Sequence, residues 1–163
     1  MKTLIAGFGN VLLGDDGFGV HVIKRLAAMT LPNHVQTIDV GIGGMELVLR
    51  LKIGFDEVIV VDAVRRGETP GTLFVFAPNE RELNRDSGEA LNPHVAEPLA
   101  AMRMAKTLGV LPAAITVVGC EPENCSPGIG LSAAVSAAID PSLNVIRKLV
   151  EQTRNGGIND LVP

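Results

Sequence analysis

Glu57-Val58-Ile59-Val60-Val61-Asp62 is a run of four β-branched residues between two carboxylates. A segment that is apolar at every position is typical of a strand covered by helices on both faces, as in a parallel sheet. A carboxylate that ends such a strand is costly to bury unless it is paired, hydrogen-bonded or bound to a cation. Asp62 therefore indicates either a ligand site at the end of the sheet or an Asp that closes the next loop through backbone hydrogen bonds.

Four more short runs of strand-forming residues alternate with helical patterns, at residues 3–6, 35–40, 72–77 and 115–119. This alternation is typical of a layered α/β sheet. The link from residue 61 to residue 72 is too short and too rich in turn residues for a crossover helix, so the strand at 72–77 is predicted to be antiparallel and at an edge. We predict one three-layer α/β/α domain over residues 1–163, with a mostly parallel central sheet of about five strands.

The apolar periodicity predicts helices after Gly19 and at residues 44–51, 94–108, 131–139 and 141–152. Asp140 and Pro141 are a favourable cap and a favourable first-turn residue, so the last two helices are predicted to be separate. Pro98 predicts a kink or a helix that starts near Glu97. The polar residues 78–92 predict an exposed loop, and we expect residues 79–91 to fold over a bound substrate.

Composition limits the classes of partner. The chain has five Phe, no Trp or Tyr and a formal net charge of −4, which argues against a nucleic-acid surface. No segment approaches the roughly 20 apolar residues of a membrane span, and the apolar start breaks at Gly7, too early for a signal peptide. We expect a cytoplasmic protein in which Cys120 and Cys125 form neither a disulfide nor a zinc knuckle.

The first strand leads into Gly7-Phe8-Gly9-Asn10-Val11-Leu12-Leu13-Gly14-Asp15-Asp16-Gly17-Phe18-Gly19. A strand followed by Gly-x-Gly and a helix suggests a dinucleotide-binding loop. Leu12 stands where the third glycine belongs, however, and the carboxylates of Asp15 and Asp16 would repel a pyrophosphate. One of the two is expected to cap the helix, which leaves the other for a functional role.

His94 follows Asn92 and Pro93 at the start of a predicted helix. Asn92 is a good cap and Pro93 a good first-turn residue, so on its own His94 fits an ordinary surface or capping histidine. Asp16, Asp62 and His94 come from three segments near one end of the sheet. Two carboxylates and one imidazole suit a borderline divalent metal such as nickel or zinc and leave coordination positions open for another ligand.

These motifs resemble those of the hydrogenase maturation proteases, which process nickel-iron hydrogenase large subunits. Residues 7–20 are similar to the opening motif of that family, Val61-Asp62-Ala63 to its second motif, and Asn92-Pro93-His94 to its Ser-Pro-His segment. The closing motifs resemble Val118-Gly119-Cys120-Glu121-Pro122 and Ser126-Pro127-Gly128-Ile129-Gly130-Leu131-Ser132. The resemblance runs in order from residue 4 to about residue 150.

The resemblance implies an endopeptidase, of aspartic type in an older classification, that removes a C-terminal extension from the large-subunit precursor after nickel insertion. It implies that Asp16, Asp62 and His94 are the metal contacts and the catalytic residues. We expect the substrate to carry the nickel, and zinc or cadmium could occupy the same site. Asp39 falls where the family has Asp followed by Gly and Thr, although Val40 and Ile42 depart from that pattern. We expect a monomer.

Three other functions compete with this interpretation. The interpretation as a nucleotide-binding module depends on Gly7 and Gly9 alone. A nickel chaperone of the same fold would bind the metal and cleave nothing, and a protease of the same superfamily would act on an unrelated protein such as a spore protein. The sequence also leaves two routes to cleavage open, a metal ion that polarises the scissile carbonyl and an acidic residue that activates water. It shows no Ser-His-Asp order with an elbow motif.

Overall fold

The computed structural model describes residues 1–84 and 93–154, without the side chains of residues 93–96 and 153–154. Its strands are β1 (Thr3–Phe8), β2 (Val35–Gly41), β3 (Glu57–Ala63), β4 (Leu73–Phe76) and β5 (Ala114–Cys120). Its helices are α1 (Phe18–Ala27), α2 (Met45–Leu51), α3 (Glu80–Asn84), α4 (Pro93–Thr107) and α5 (Ala133–Arg154). All the predicted strands are confirmed, and their ends differ from the prediction by at most two residues.

The strands form one sheet in the order β2-β1-β3-β5-β4. All neighbouring pairs are parallel except β4 and β5, which are antiparallel, with Leu73 opposite Cys120. The predicted mostly parallel sheet with one antiparallel edge strand is therefore confirmed. Gly7 of β1 lies between Asp39 of β2 and Val61 of β3. The carboxyl ends of these three strands thus meet at the same edge, and the loops that follow them converge there.

Two apolar layers cover the sheet. Alternate residues of β1 and β3 face opposite sides, because side chains alternate along a strand. One side packs against α1 and α5, and its strand residues include Ile5, Ile59 and Val61. The other side packs against α2 and α4, and its strand residues include Leu4, Val58 and Val60. All seven residues of β3 are buried, as the apolar run predicts. No helix in the described ranges combines the length and apolar character of a membrane span.

The prediction of two separate helices at 131–139 and 141–152 is wrong. A single helix, α5, continues through Pro141, although an internal proline costs about 3 kcal/mol. Residues on both sides of the proline bury against the same cluster, and these are Val135, Ala138, Ile139, Leu143 and Ile146. The buried Ser142 hydroxyl donates to the carbonyl of Ile139 at 2.6 Å in the turn that contains the proline. Asp140 lies inside the helix and forms an exposed ion pair with Arg25 at 3.0 Å.

The prediction of a loop at 78–92 is also wrong in part, because residues 80–84 form α3. The Glu82 N–H donates to Oδ1 of Asn79, and the Asn79 N–H donates to Oε2 of Glu82, each at 2.8 Å. This reciprocal pair is a capping box with Asn as the cap. Arg103 Nε of α4 donates to the Glu82 carbonyl at 2.8 Å and ties the two helices together. Residues 85–92, and with them most of the segment expected to fold over substrate, lie outside the described residues.

Helix α1 begins in unusually close contact with the sheet. A Cβ atom added at Gly19 would lie 2.1 Å from the carbonyl oxygen of Val61 and 2.4 Å from that of Phe8. A Cβ atom at Gly7 would lie 2.4 Å from the Gly19 carbonyl oxygen. The two glycines therefore allow backbone to pack on backbone, and this contact fixes the loop between β1 and α1 at the end of the sheet.

We expect Gly19→Ala to lower the free energy of unfolding by roughly 2–3 kcal/mol or more, because the methyl group meets backbone that cannot move aside. This loss should exceed the gain of about 1 kcal/mol that Ala brings to a helix. Urea denaturation measures the difference. Gly43→Ala is the matched control, since a Cβ atom there meets nothing within 4 Å. Equal stability of the two variants would contradict the close contact.

Candidate active site

A cavity of about 350 Å³ opens at the carboxyl ends of β1, β2 and β3. Its lining comes from the loops after these strands and from α4, and the residues are Gly9, Asn10, Leu13, Asp16, Ile42, Asp62 and Glu97. Among these described residues three are carboxylates and none is basic. The cavity therefore has a negative potential, which favours a cation over a phosphate.

Asp62 is a buried member of the cavity lining. It follows Val60 by two residues in β3, so it projects toward the side of the sheet that α4 covers, and only 5% of it is exposed. Its Oδ1 accepts a hydrogen bond from the N–H of Ala63 at 2.8 Å, and within residues 1–84 and 97–152 no other group donates to the carboxylate. Burial raises its pKa well above the ordinary value, and the negative charges of Asp16 and Glu97 raise it further against the opposing Ala63 hydrogen bond. One bond to the next amide does not compensate such a buried charge.

Asp16 reaches the same cavity from a short 3-10 turn at Gly14–Gly17. Its Oδ2 accepts a hydrogen bond from the N–H of Asn10 at 2.8 Å, so the loop holds its own carboxylate in place. Gly9 has a φ of 126°, and a Cβ atom there would lie 1.8 Å from the Asp16 carbonyl oxygen. The loop that suggested nucleotide binding is therefore folded tightly around an acidic side chain.

Asp15 has a structural role that differs from the predicted one. Gly17 is the N-cap of α1, so the expectation that one of the two aspartates caps this helix is wrong. Asp15 is fully buried, and its oxygens accept the N–H groups of Glu123, Asn124 and Ser132 at 2.9, 2.9 and 2.6 Å. Burial alone would raise its pKa, but these hydrogen bonds outweigh burial and hold the pKa below its ordinary value. Asp15 thus fastens the loop that carries Asp16 to the segment before α5.

The structure brings together two of the three predicted metal contacts, Asp16 and Asp62. His94 lies in the first turn of α4, and its side chain lies outside the described residues, so its role stays a prediction. Asp39 is exposed on β2 and is not part of the cavity lining. Among the side chains that the structure describes, no three His, Cys, Asp or Glu residues form a group that could hold a metal ion.

Glu97 lines the cavity, but the sequence did not identify it as a site residue. There it was considered only as a possible start of the helix that contains Pro98. Helix α4 begins at Pro93 and contains Pro98, so Glu97 lies within its first turns, three residues after position 94. Residues three apart lie on one face of a helix, and this spacing was the available signal. Partial burial and the charge of Asp16 raise the pKa of Glu97.

The two cysteines are free. Cys125 is half-buried in the segment that Asp15 fastens. Burial raises the pKa of its thiol, and the negative charges of Asp16 and Asp15 raise it further. The nearby Arg65 lowers the pKa and opposes these effects. Burial raises the pKa of Cys120 to about 12, with help from Asp15 and Glu121. Neither thiol has the lowered pKa of an activated nucleophile.

We expect Asp62→Asn to raise the free energy of unfolding at pH 7 by roughly 1–3 kcal/mol, because it removes a buried charge and keeps an acceptor for Ala63. The pKa of Asp62 is raised in the folded state, so the wild type loses stability as the pH rises through the ordinary Asp range. The advantage of the variant should therefore shrink near pH 4. Urea denaturation at both pH values tests this, with the exposed Asp39→Asn as the control. A variant less stable than the wild type at both pH values would contradict the expectation.

Comparison with known proteins identifies the family to which the chain is similar. A family model described as hydrogenase maturation protease matches residues 20–149. The chain is 34% identical over 151 residues to the hydrogenase 2 maturation protease of Escherichia coli strain K12, covering 90% of this chain and 88% of that protein. It is 35% identical over 148 residues to a putative hydrogenase maturation protease of Methanocaldococcus jannaschii, covering 88% of this chain and 92% of that protein.

A solved structure shows the same fold. The hydrogenase maturating endopeptidase HybD from Escherichia coli superposes with a TM-score of 0.78 at 30% identity, covering 96% of this chain and 94% of that chain. The sheet with its antiparallel edge strand, the matched family model and the identity over nearly the whole length agree. The chain therefore belongs to the hydrogenase maturation protease family of peptidases.

Proposed function

We propose that this protein is an endopeptidase that removes the C-terminal extension of a nickel-iron hydrogenase large-subunit precursor after nickel has been inserted. In this proposal Asp16, Asp62 and His94 bind the nickel that the precursor carries. The observation that carries the proposal is the acidic cavity at the end of the sheet, where Asp62 is buried with one hydrogen bond from its own neighbour. Membership of the maturation protease family supports the reaction class.

Electrostatics supports a cation in the cavity. Asp16 and Glu97 both raise the pKa of Asp62, which shows that the three negative charges oppose one another. A divalent ion would turn this repulsion into attraction. Carboxylate and imidazole ligands suit nickel, and zinc or cadmium would fit the same set.

The ligand inventory supports an ion that arrives with the substrate. Carboxylates with one imidazole hold a borderline metal more weakly than thiolates do. An ion already bound to thiolates of the precursor would keep those ligands and gain the oxygens of the cavity. Only a precursor that contains the metal would then dock with its scissile bond in register.

The surroundings of the cavity support a polypeptide substrate. Three apolar side chains in the loops after β1, β2 and β5 are strongly exposed, namely Leu12 (59%), Ile42 (64%) and Ile129 (88%). Ile42 lines the cavity, and the loops of Leu12 and Ile129 are joined by a hydrogen bond from the Gly128 N–H to the Leu12 carbonyl. Exposed apolar residues around an open polar cavity are a common feature of protein docking sites.

Two chemical contributions follow for the cleavage step. The ion of the docked precursor would polarise the scissile carbonyl. A carboxylate of the cavity would take the proton of the attacking water. A nucleotide-binding function is disfavoured, since the carboxylates beside Gly9 would repel a pyrophosphate.

The test uses purified protein with nickel-loaded and nickel-free precursor, and mass spectrometry follows the large subunit. We expect only the nickel-loaded form to lose a C-terminal peptide. Asp62→Asn and His94→Ala should lower kcat/KM by about 100-fold or more, because each removes a group that meets the ion or the reacting atoms. Glu151→Gln, which changes an exposed carboxylate of α5 outside the cavity, should process the precursor at the wild-type rate.

Three outcomes would contradict the proposal. Equal cleavage of both precursor forms would exclude recognition through the metal. Nickel binding without any cleavage would indicate a chaperone. Full activity of Asp62→Asn and His94→Ala would show that other residues carry the reaction.

A further inference from the structure

We propose that a row of exposed apolar side chains along α2 binds an apolar face of the folded large-subunit precursor, next to the segment that enters the cavity. The row consists of Ile42, Met45, Leu49 and Ile53, and we call it the α2 row. The inference rests on the proposed function and deepens it, because it names the surface on which the precursor lies outside the cavity.

The α2 row departs from the usual pattern of a surface helix. Met45, Leu49 and Ile53 follow one another at intervals of four residues, and each is more than half exposed. This spacing places them on one face, and the turn continues past the end of α2, because the Ile53 N–H donates to the carbonyl of Arg50 at 3.1 Å. A surface helix normally presents polar residues to the solvent. A continuous apolar face is instead typical of a surface that binds another protein.

The α2 row is not needed to hold the helix on the core. Leu47, Val48 and Leu51 lie on the opposite side of α2 and are buried in the apolar cluster that covers the sheet. A Cβ atom at Gly44 would lie 2.5 Å from the Cβ atom of Ala101, so the start of α2 packs closely on α4. One face of α2 therefore anchors it, and the other is available for contact with another molecule.

The α2 row begins at the cavity. Ile42 is exposed and lines the cavity together with Asp62. Since β2 and β3 are both parallel to β1, α2 must run back from this edge of the sheet. Residues 45 to 53 therefore lead away from the cavity over roughly 12 Å, at about 1.5 Å per helical residue. The row is thus continuous with the proposed substrate site.

This position favours the precursor over a second copy of the chain. The residues before the scissile bond connect the cavity to the body of the precursor, and four extended residues span about 13 Å, which is close to the length of the row. Four half-exposed side chains offer much less than the roughly 800 Å² that each partner buries in a stable interface. The row is too small to hold a dimer by itself, but it can extend an interface that is anchored in the cavity.

Steady-state cleavage of the nickel-loaded precursor tests the inference. Leu49→Gln and Ile53→Gln replace exposed apolar side chains by a polar one of good helix propensity. We expect each to raise KM by about 5-fold, and the double variant by about 20-fold, because each loses apolar contact with the precursor. The value of kcat should not change, since these contacts lie away from the reacting atoms. Met29→Gln is the matched control. It changes an exposed apolar residue just after α1 and should keep the wild-type KM.

A wild-type KM in the double variant would overturn the inference, and so would a fall in kcat with KM unchanged. Sedimentation equilibrium of the protein alone examines the other occupant. We expect the wild type and both single variants to be monomers. A wild-type dimer that Leu49→Gln converts to a monomer would show that the α2 row binds a second copy, and this would also overturn the inference.

Nickel-free precursor separates this inference from the proposed function. If the wild type cleaves only the nickel-loaded form and the double variant keeps its KM, only the role of the α2 row fails. If the wild type cleaves both forms equally, recognition through the metal fails, and KM of the variants still decides the role of the row. If it cleaves neither form, the proposed function fails, and biolayer interferometry with the uncleaved precursor gives the same comparison of affinities.

Discussion

The carboxylate of Asp62 is buried at the end of a strand whose other residues are buried as well. Such a group is unfavourable in a folded protein unless something compensates its charge, and the described surroundings add two more negative charges in place of a positive one. The free protein thus holds a local repulsion that a cation would relieve. The proposed role of Asp62 as an ion ligand would account for this arrangement, since functional sites commonly lower the stability of the fold.

The rest of the fold keeps these charges in place. The contact between Gly19 and the sheet presses the start of α1 against β1 and β3, which fixes the loop that carries Asp16. Asp15, adjacent in sequence, is compensated by three backbone N–H groups and fastens the same loop from the other side. Two neighbouring aspartates therefore have opposite roles. Asp15 is buried and joins two segments of the backbone, whereas Asp16 lines the cavity.

Local patterns in the sequence predicted the sheet well. The apolar run before Asp62 identifies a covered strand, and the short link to residue 72 identifies the antiparallel edge, because both follow from rules that act over a few residues. The same local reasoning failed at Pro141, where packing of both halves of α5 on one core outweighs the cost of the proline. The helix α3 was readable from the Asn79 and Glu82 capping box, which the polar character of the segment obscured.

The site was predictable in part for the same reason. Asp62 is conspicuous because it interrupts an apolar strand, and Glu97 could have been found from its spacing to position 94. The role of Asp15 was not accessible, since one of its partners, Glu123, lies 108 residues further along the chain. The pattern of the residues left open which aspartate of the pair faces the cavity. The resemblance of residues 7–20 to the family's opening motif implied Asp16, which lines the cavity.

Nickel K-edge X-ray absorption on the nickel-loaded precursor, alone and freeze-trapped with this protein, tests the central claim most directly. If the side chains at positions 16, 62 and 94 bind the ion of the precursor, the nickel should gain oxygen or nitrogen ligands at about 2.1 Å in the complex. Asp62→Asn should reduce that gain. A nickel spectrum that stays unchanged in a complex that goes on to be cleaved would contradict the account.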